Sequence, residues 1–353
     1  MFGMYSTIMM NKTLTLPAEW ETDGTILLAW PHADTDWSYM LNEVTDCYVD
    51  IVKAIANRQP VAIVAPDCQI VKDRLSEIST KYPIYYITLP TNDTWARDFG
   101  PLSVVDDAGQ WHICDFKFNG WGLKFAADKD NMVTRGLCDS KFLVGRYDNN
   151  LGFVLEGGSI ESDGKGTILT TSRCLLSPNR NGEMSKGEIE RELKRRLGAS
   201  RILWLNHGFL AGDDTDSHID TLARLAPNDT IIYVGCNDET DEHYAELNAM
   251  KHELQNLKTA DGNPYNLVEL PFPDKIFDYD GLRLPATYAN FLVTPHAVYM
   301  PTYGQPQNDL LAHQMLKIVF QQDIVDVDCR PLIKQHGSLH CVTMQLPRQV
   351  ICI

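Results

Sequence analysis

Short apolar runs alternate with amphipathic stretches along most of the chain. The runs at 60–65, 84–89, 102–105, 201–205, 230–235 and 325–327 have the length and the β-branched content of strands. Val44, Tyr48, Ile51 and Ile55 recur at helical spacing and predict a helix with one buried face. Ser185 and Glu188 form a capping box ahead of the apolar positions of 189–197, and two further helices are expected near 241–257 and 308–320. Asp163-Gly164, between Ile160 and the run 167–169, predicts a hairpin turn.

Strands outnumber helices in this order, which reads as a repeated β-β-α-β-like organisation. A repeat-built α/β ring fits it better than a doubly wound sheet. No low-complexity segment or Gly/Ser/Pro linker marks a boundary, so a single domain over 1–353 is expected, with 1–10 as a flexible extension. That extension lacks a basic leading region and a small-residue cleavage site and is not read as a signal peptide; translation could begin at Met9 or Met10. No run approaches the length of a membrane span.

Composition narrows the partners. The chain of 353 residues carries a formal charge of −16, which repels phosphate backbones and anionic membranes and favours cationic ligands. Nine scattered cysteines, an odd number with no Cys-x-x-Cys, suggest neither a disulfide framework nor a zinc site. They read as reduced thiols in a cytoplasmic protein.

Against this background four polar clusters stand at or just beyond apolar strands. They are Arg97-Asp98-Phe99-Gly100-Pro101, Glu156-Gly157-Gly158, the run from Asp214 through His218 to Asp220, and Gly337-Ser338-Leu339-His340-Cys341. Together they hold a thiol, an imidazole and several carboxylates, the inventory needed to attack a cationic guanidinium carbon.

With Trp95 ahead of the first cluster, Pro17-Ala18-Glu19-Trp20 and Trp30-Pro31-His32 near the start, and Val342-Thr343 to Gln345 at the end, the chain resembles the agmatine deiminase family, relatives of bacterial peptidylarginine deiminase. The resemblance implies the pentein fold, a five-bladed α/β propeller of ββαβ modules with pseudo-fivefold symmetry and a central active site. It also implies hydrolysis of agmatine to N-carbamoylputrescine and ammonia, a step toward putrescine, with no metal or organic cofactor. The partner is then a small cationic guanidino substrate, with nucleic acid and membrane excluded and a homo-oligomer left open.

On the residues themselves, Cys341 is the candidate nucleophile, since a thiolate attacks an sp² carbon; the other eight cysteines read as inert. His218 would protonate departing ammonia and then activate water. Asp220, two residues on, would face the same way in an extended segment. Asp98 and Asp220 are the expected guanidinium clamps. Glu156 either binds substrate or orients His218. Trp95 is expected on the guanidinium or alkyl chain; the resemblance implies Asp214 at the distal amine and Asn290 as a site amide, the latter otherwise reading as a turn residue. Two departures from the family pattern bear on loop geometry: His336-Gly337-Ser338 replaces a fuller glycine cluster, and Ser217 stands where Gly is common. A hydrolase of arginine, peptidylarginine or a methylated guanidine is the alternative activity, and a non-catalytic pentein binding module the alternative of another class.

Overall fold

The computed structural model describes residues 13–352, so the expected extension at 1–10 lies outside the described residues. Five separate sheets of three or four strands follow one another around the chain. In each, a first strand pairs antiparallel with a second, and a helical crossover leads to a third that is parallel to the second. Thus Ile160–Ser162 pairs antiparallel with Thr167–Thr171, and the helix Lys186–Leu197 leads to Arg201–Leu205, parallel to Thr167–Thr171. Ala223–Ala226, Thr230–Val234 and Asn266–Leu270 repeat the pattern across the helix Tyr244–Asn256. Leu292–Val293, Val298–Thr302 and Ile324–Asp328 repeat it across Pro306–Phe320. Leu102–Asp106, Trp111–Lys117 and Arg146–Val154 do so across Val133–Asp139, with Leu14–Thr15 added at the edge.

The fifth module is assembled from both ends of the sequence. Met344–Pro347 pairs antiparallel with Gly24–Ala29, which lies parallel to Val61–Ala65 across the helix Leu41–Ala56. The last strand thereby fastens the C-terminal segment to the first part of the chain. These are the ββαβ modules of a pentein.

Local chemistry accounts for the elements. Val61–Ala65 is buried along its whole length between two parallel neighbours, which is why it reads as a continuous apolar run. Val44, Tyr48, Ile51 and Ile55 are at most 1% exposed, and burying each side chain contributes about 1.5–3 kcal/mol. The Ser185/Glu188 box forms: Ser185 N–H donates to Glu188 Oε2 at 2.8 Å. Gly164 takes φ +72° in the turn expected at 163–164.

Candidate active site

The motifs converge because each stands just ahead of the first strand of a different module. Asp98 lies on the short helix Ala96–Phe99 before Leu102–Asp106, and Glu156-Gly157-Gly158 opens the turn before Ile160–Ser162. His218 and Asp220 precede Ala223–Ala226, Asn290 precedes Leu292–Val293, and Cys341 precedes Met344–Pro347. Five equivalent positions thus supply the site.

Gly158 is where they meet. A Cβ there would lie 2.8 Å from Asp98 Oδ1, 2.8 Å from His218 Nδ1 and 2.9 Å from Asp220 Oδ2, so only glycine leaves the two carboxylates and the imidazole around one backbone position. Gly158 N–H donates to Asp98 Oδ1 at 3.0 Å, and His218 Nδ1 stands 3.6 Å from the same oxygen. Cys341 Sγ is 3.9 Å from Asp220 Oδ2 and 3.4 Å from Asn290 Oδ1.

One local expectation is corrected. Asp220 does not follow His218 in an extended segment; Ile219–Thr221 form a 3₁₀ turn, closed by Thr221 N–H and Oγ1–H donating to His218 O. Both side chains still reach Gly158, because the turn rotates Asp220 back toward the centre.

The charges are strongly perturbed. Burial raises the Cys341 thiol well above its ordinary range, and the neighbouring charges of Asp220 and Asp98 reinforce the shift. Burial also lifts Asp98 to about 6 against the opposing pull of His218. For His218 burial disfavours the cation, but Asp98, Cys174 and Glu156 overcome it and push the imidazole up to about 10. Burial raises Cys174 itself, which Arg180 and His218 oppose. Asp220 is held below the usual carboxylate range although burial opposes this, because His340 Nδ1 donates to its Oδ2 at 2.8 Å.

A cleft leads to the thiol, lined by Trp95, Trp121, Asp98, Asp214, His336, Gly337 and Cys341, among others. Its lining includes four carboxylates, those of Asp36, Asp93, Asp98 and Asp214, and no Lys or Arg. Three arginines that could have met a substrate carboxylate are engaged elsewhere. Arg180 is on Glu156 and Asp216, Arg283 is on Asp241, and Arg173 lies over the Phe209 ring.

Two expected residues sit behind the cleft wall. Glu156 is fully buried, with both oxygens taken by Arg180 Nε at 2.9 and 3.0 Å, which places it beside His218 rather than on the cleft surface. Asn290, also fully buried, accepts from His340 N–H at 2.9 Å and Cys341 N–H at 3.3 Å, so its amide fixes the thiol's loop.

Sequence reasoning missed the supports. Trp121 Nε1–H donates to Asp98 Oδ2 at 2.9 Å from a turn in which residues 120–123 all have positive φ. Asn119-Gly120-Trp121-Gly122 was the legible signal for that turn. Arg180 and Arg224 gave no such signal, and Glu19 and His340 stood in motifs without revealing their roles, since their partners come from distant modules. Glu156, Cys174 and His218 offer ligand atoms within 4.8 Å of one another, as do Glu19, Glu161 and His340, but in each set an arginine already occupies a carboxylate.

Fold and site together define an α/β pentein with a buried thiol, an imidazole and paired carboxylates at its centre. Residues 15–347 match the model for the Porphyromonas-type peptidyl-arginine deiminase family, and the chain belongs to that family. It is 32% identical over 355 residues to the agmatine deiminase of Stutzerimonas stutzeri, covering 94% of this chain and 95% of the relative. A Porphyromonas gingivalis structure provisionally described as an arginine deiminase is 48% identical, with a TM-score of 0.89 over 96% of this chain and 100% of the other. A cysteine-to-serine variant of the C. jejuni agmatine deiminase with substrate bound is 37% identical, with a TM-score of 0.88 over 97% and 98% of the two chains. No helix among the described residues is long and apolar enough to cross a membrane.

Proposed function

We propose that this protein hydrolyses agmatine to N-carbamoylputrescine and ammonia through a covalent amidino-cysteine intermediate. The observation that carries the reading is the cleft itself: a thiol at its base, carboxylates along its walls and no Lys or Arg to receive a substrate carboxylate. A molecule with a guanidinium at one end and an ammonium at the other is complementary to both ends. The agmatine deiminase activity named for the relatives points the same way.

In this reading Asp98 and Asp220 hold the guanidinium through charge-assisted contacts, Asp220 by way of its free Oδ1. The bound cation offsets the two carboxylates that oppose thiolate formation, so Cys341 ionises when substrate is present. The thiolate attacks the guanidinium carbon, and protonated His218 gives its proton to the departing nitrogen as ammonia leaves. Neutral His218 then takes a proton from water as the water's oxygen bonds to the amidino carbon. Collapse of that adduct breaks the C–S bond and returns the thiolate, the adduct's hydroxyl proton passes to the released ammonia as ammonium, and the neutral urea product leaves. Glu156, anchored by Arg180, helps hold the imidazole in its protonated form. Asp214 receives the distal ammonium and Trp95 packs along the alkyl chain.

Ammonia release measured across agmatine, arginine and an arginyl peptide tests the substrate. Agmatine should be turned over fastest, because the arginine α-carboxylate would enter an acidic cleft. Arginine turnover equal to that of agmatine would replace the substrate and leave the chemistry standing. Mass spectrometry of a His218→Asn variant under turnover should place an amidino adduct on Cys341, and an adduct on Cys174 would defeat the assignment.

A further inference from the structure

Behind the reacting groups lies a charged layer drawn from several elements, buried except at Glu19. Glu19 comes from the turn Glu19–Glu21, Arg97 from the helix that carries Asp98, and Glu161 from the strand Ile160–Ser162. Arg224 comes from Ala223–Ala226, and His340 from the segment that carries Cys341. Arg224 pairs with Glu161 and, at 2.9 Å, with Glu19 Oε2, while Arg97 Nη1 holds Glu19 Oε1 at 2.8 Å. His340 is fully buried at the junction of this layer and the site. On the site side the charged or titratable neighbours are Asp220, Cys341, His218 and Asp98.

The two ring nitrogens of His340 have unlike surroundings. Nε2 faces an acceptor, Glu19 Oε1 at 2.8 Å, and a donor, Arg224 Nη2 at 3.0 Å. It is therefore satisfied with or without a proton. Nδ1 has one partner, Asp220 Oδ2 at 2.8 Å, which accepts only. Both the cation and the Nδ1–H neutral ring donate to Asp220, and the remaining tautomer would set a lone pair against a carboxylate. Donation to Asp220 is thus common to every favourable state of the ring. Asp220 Oδ1 is buried and has no protein partner, so one oxygen is tied down and the other is left for a ligand.

We propose that His340 is a positioning residue for the reaction: its Nδ1–H fixes Asp220 as a carboxylate with one oxygen committed to the protein and one free for the guanidinium. The inference rests on the guanidine-hydrolase reading for its consequence in turnover, but its effect on Asp220 is a property of the protein without substrate. His340 is the foremost group opposing the effect of burial on Asp220. Removing its donor lets burial raise the carboxyl, so the ionised fraction is lost at higher pH than in the parent protein, and the acid limb of kcat/KM moves upward.

The experiment compares His340→Leu with His340→Asn, whose amide nitrogen can occupy the place of Nδ1. His340→Leu should lower kcat/KM for agmatine at pH 7 by on the order of 10–100-fold, as for loss of one hydrogen bond to a charged group. Its acid limb should move up by about one pH unit or more, with partial recovery at alkaline pH. His340→Asn should keep the limb of the parent. Without substrate, iodoacetamide should modify Cys341 more slowly near neutrality in His340→Leu, because Asp220, still ionised there but without its donor, opposes the thiolate more strongly, while far-UV circular dichroism stays native. If His340→Leu does not fold, His340→Gln takes its place; it displaces the donor by one methylene and should show the same limb shift and alkylation change. A uniform loss of kcat with limb and alkylation unchanged, or identical behaviour of the Asn and Leu variants, overturns the proposal. If the parent releases ammonia from no guanidine, the functional reading fails, and the alkylation comparison still decides the role of His340.

Discussion

Among the positions that depart from the family's glycines, Ser217 and His336 have left-handed backbone, with φ of +64° and +69°. Ordinary residues cost about 1–2 kcal/mol there. The Ser217 hydroxyl is also buried without a partner. Ser217→Gly removes both penalties and should raise unfolding stability by on the order of 1 kcal/mol, read as a higher urea midpoint with unchanged slope. Activity should persist, because Asp213 still holds the loop through the backbone N–H at 217. Charge at the clamp is less forgiving. Asp98→Asn keeps the shape but leaves a desolvated guanidinium with one charged partner fewer, and kcat/KM should fall by a factor corresponding to about 2–5 kcal/mol. Near-normal kcat/KM in that variant would refute the clamp.

At the scale of elements, the turn Gly157–Ser159 shows what the spacing of a motif encodes. A Cβ at Gly157 would lie 2.2 Å from the Arg97 carbonyl oxygen, and one at Gly158 would press on Asp98, His218 and Asp220 together. Gly158→Ala should therefore abolish most turnover while Tm falls only modestly, since the flexible partners it displaces are the reacting groups; calorimetry beside an ammonia assay separates the two effects. Gly337 does comparable work on the opposite wall, where a Cβ would stand 2.1 Å from the Trp95 ring. The glutamate of the motif completes the picture, because Glu156 meets Arg180, which in turn holds Asp216 and the Thr215 carbonyl. A single guanidinium thereby ties the Glu156 turn to the loop that delivers His218.

For the whole molecule, burying carboxyls around the central site sets the pH profile of stability. Burial raises Asp98 to about 6 and Asp93 and Asp130 to about 7. The folded state holds these protons more tightly than the unfolded chain, so their contribution is full below the unfolded carboxyl range and is lost as pH rises through about 6–7. Glu19 and Asp220, held low by cationic or donating partners, act oppositely and cost stability as pH falls through their folded values. Stability by urea unfolding should therefore peak on the mildly acidic side and decline toward pH 8, and Asp130→Asn should flatten that decline. A profile rising steadily from pH 5 to pH 8 would contradict the assignment.

The local pattern determined a good deal. Val44, Tyr48, Ile51 and Ile55 marked a buried helix face, Ser185 and Glu188 marked a helix start, and the polar clusters ending in Cys341 marked the groups that gather at the centre, because each depends on neighbours in sequence. The repeat itself was faint, since only its strand order recurs and not its residues. What tertiary structure decided was convergence. Glu156 went to Arg180 and Asn290 to the backbone of Cys341, and Asp220 came under His340, each partner lying in another part of the sequence. Met344–Pro347 closes onto Gly24–Ala29, and that pairing of the two ends of the sequence sets Cys341 beside Arg97, whose N–H donates to the Cys341 carbonyl at 3.1 Å. Periodicity records which face of an element is buried, but not which distant element covers it, so the site's charges and their pKa values existed only once the modules were assembled.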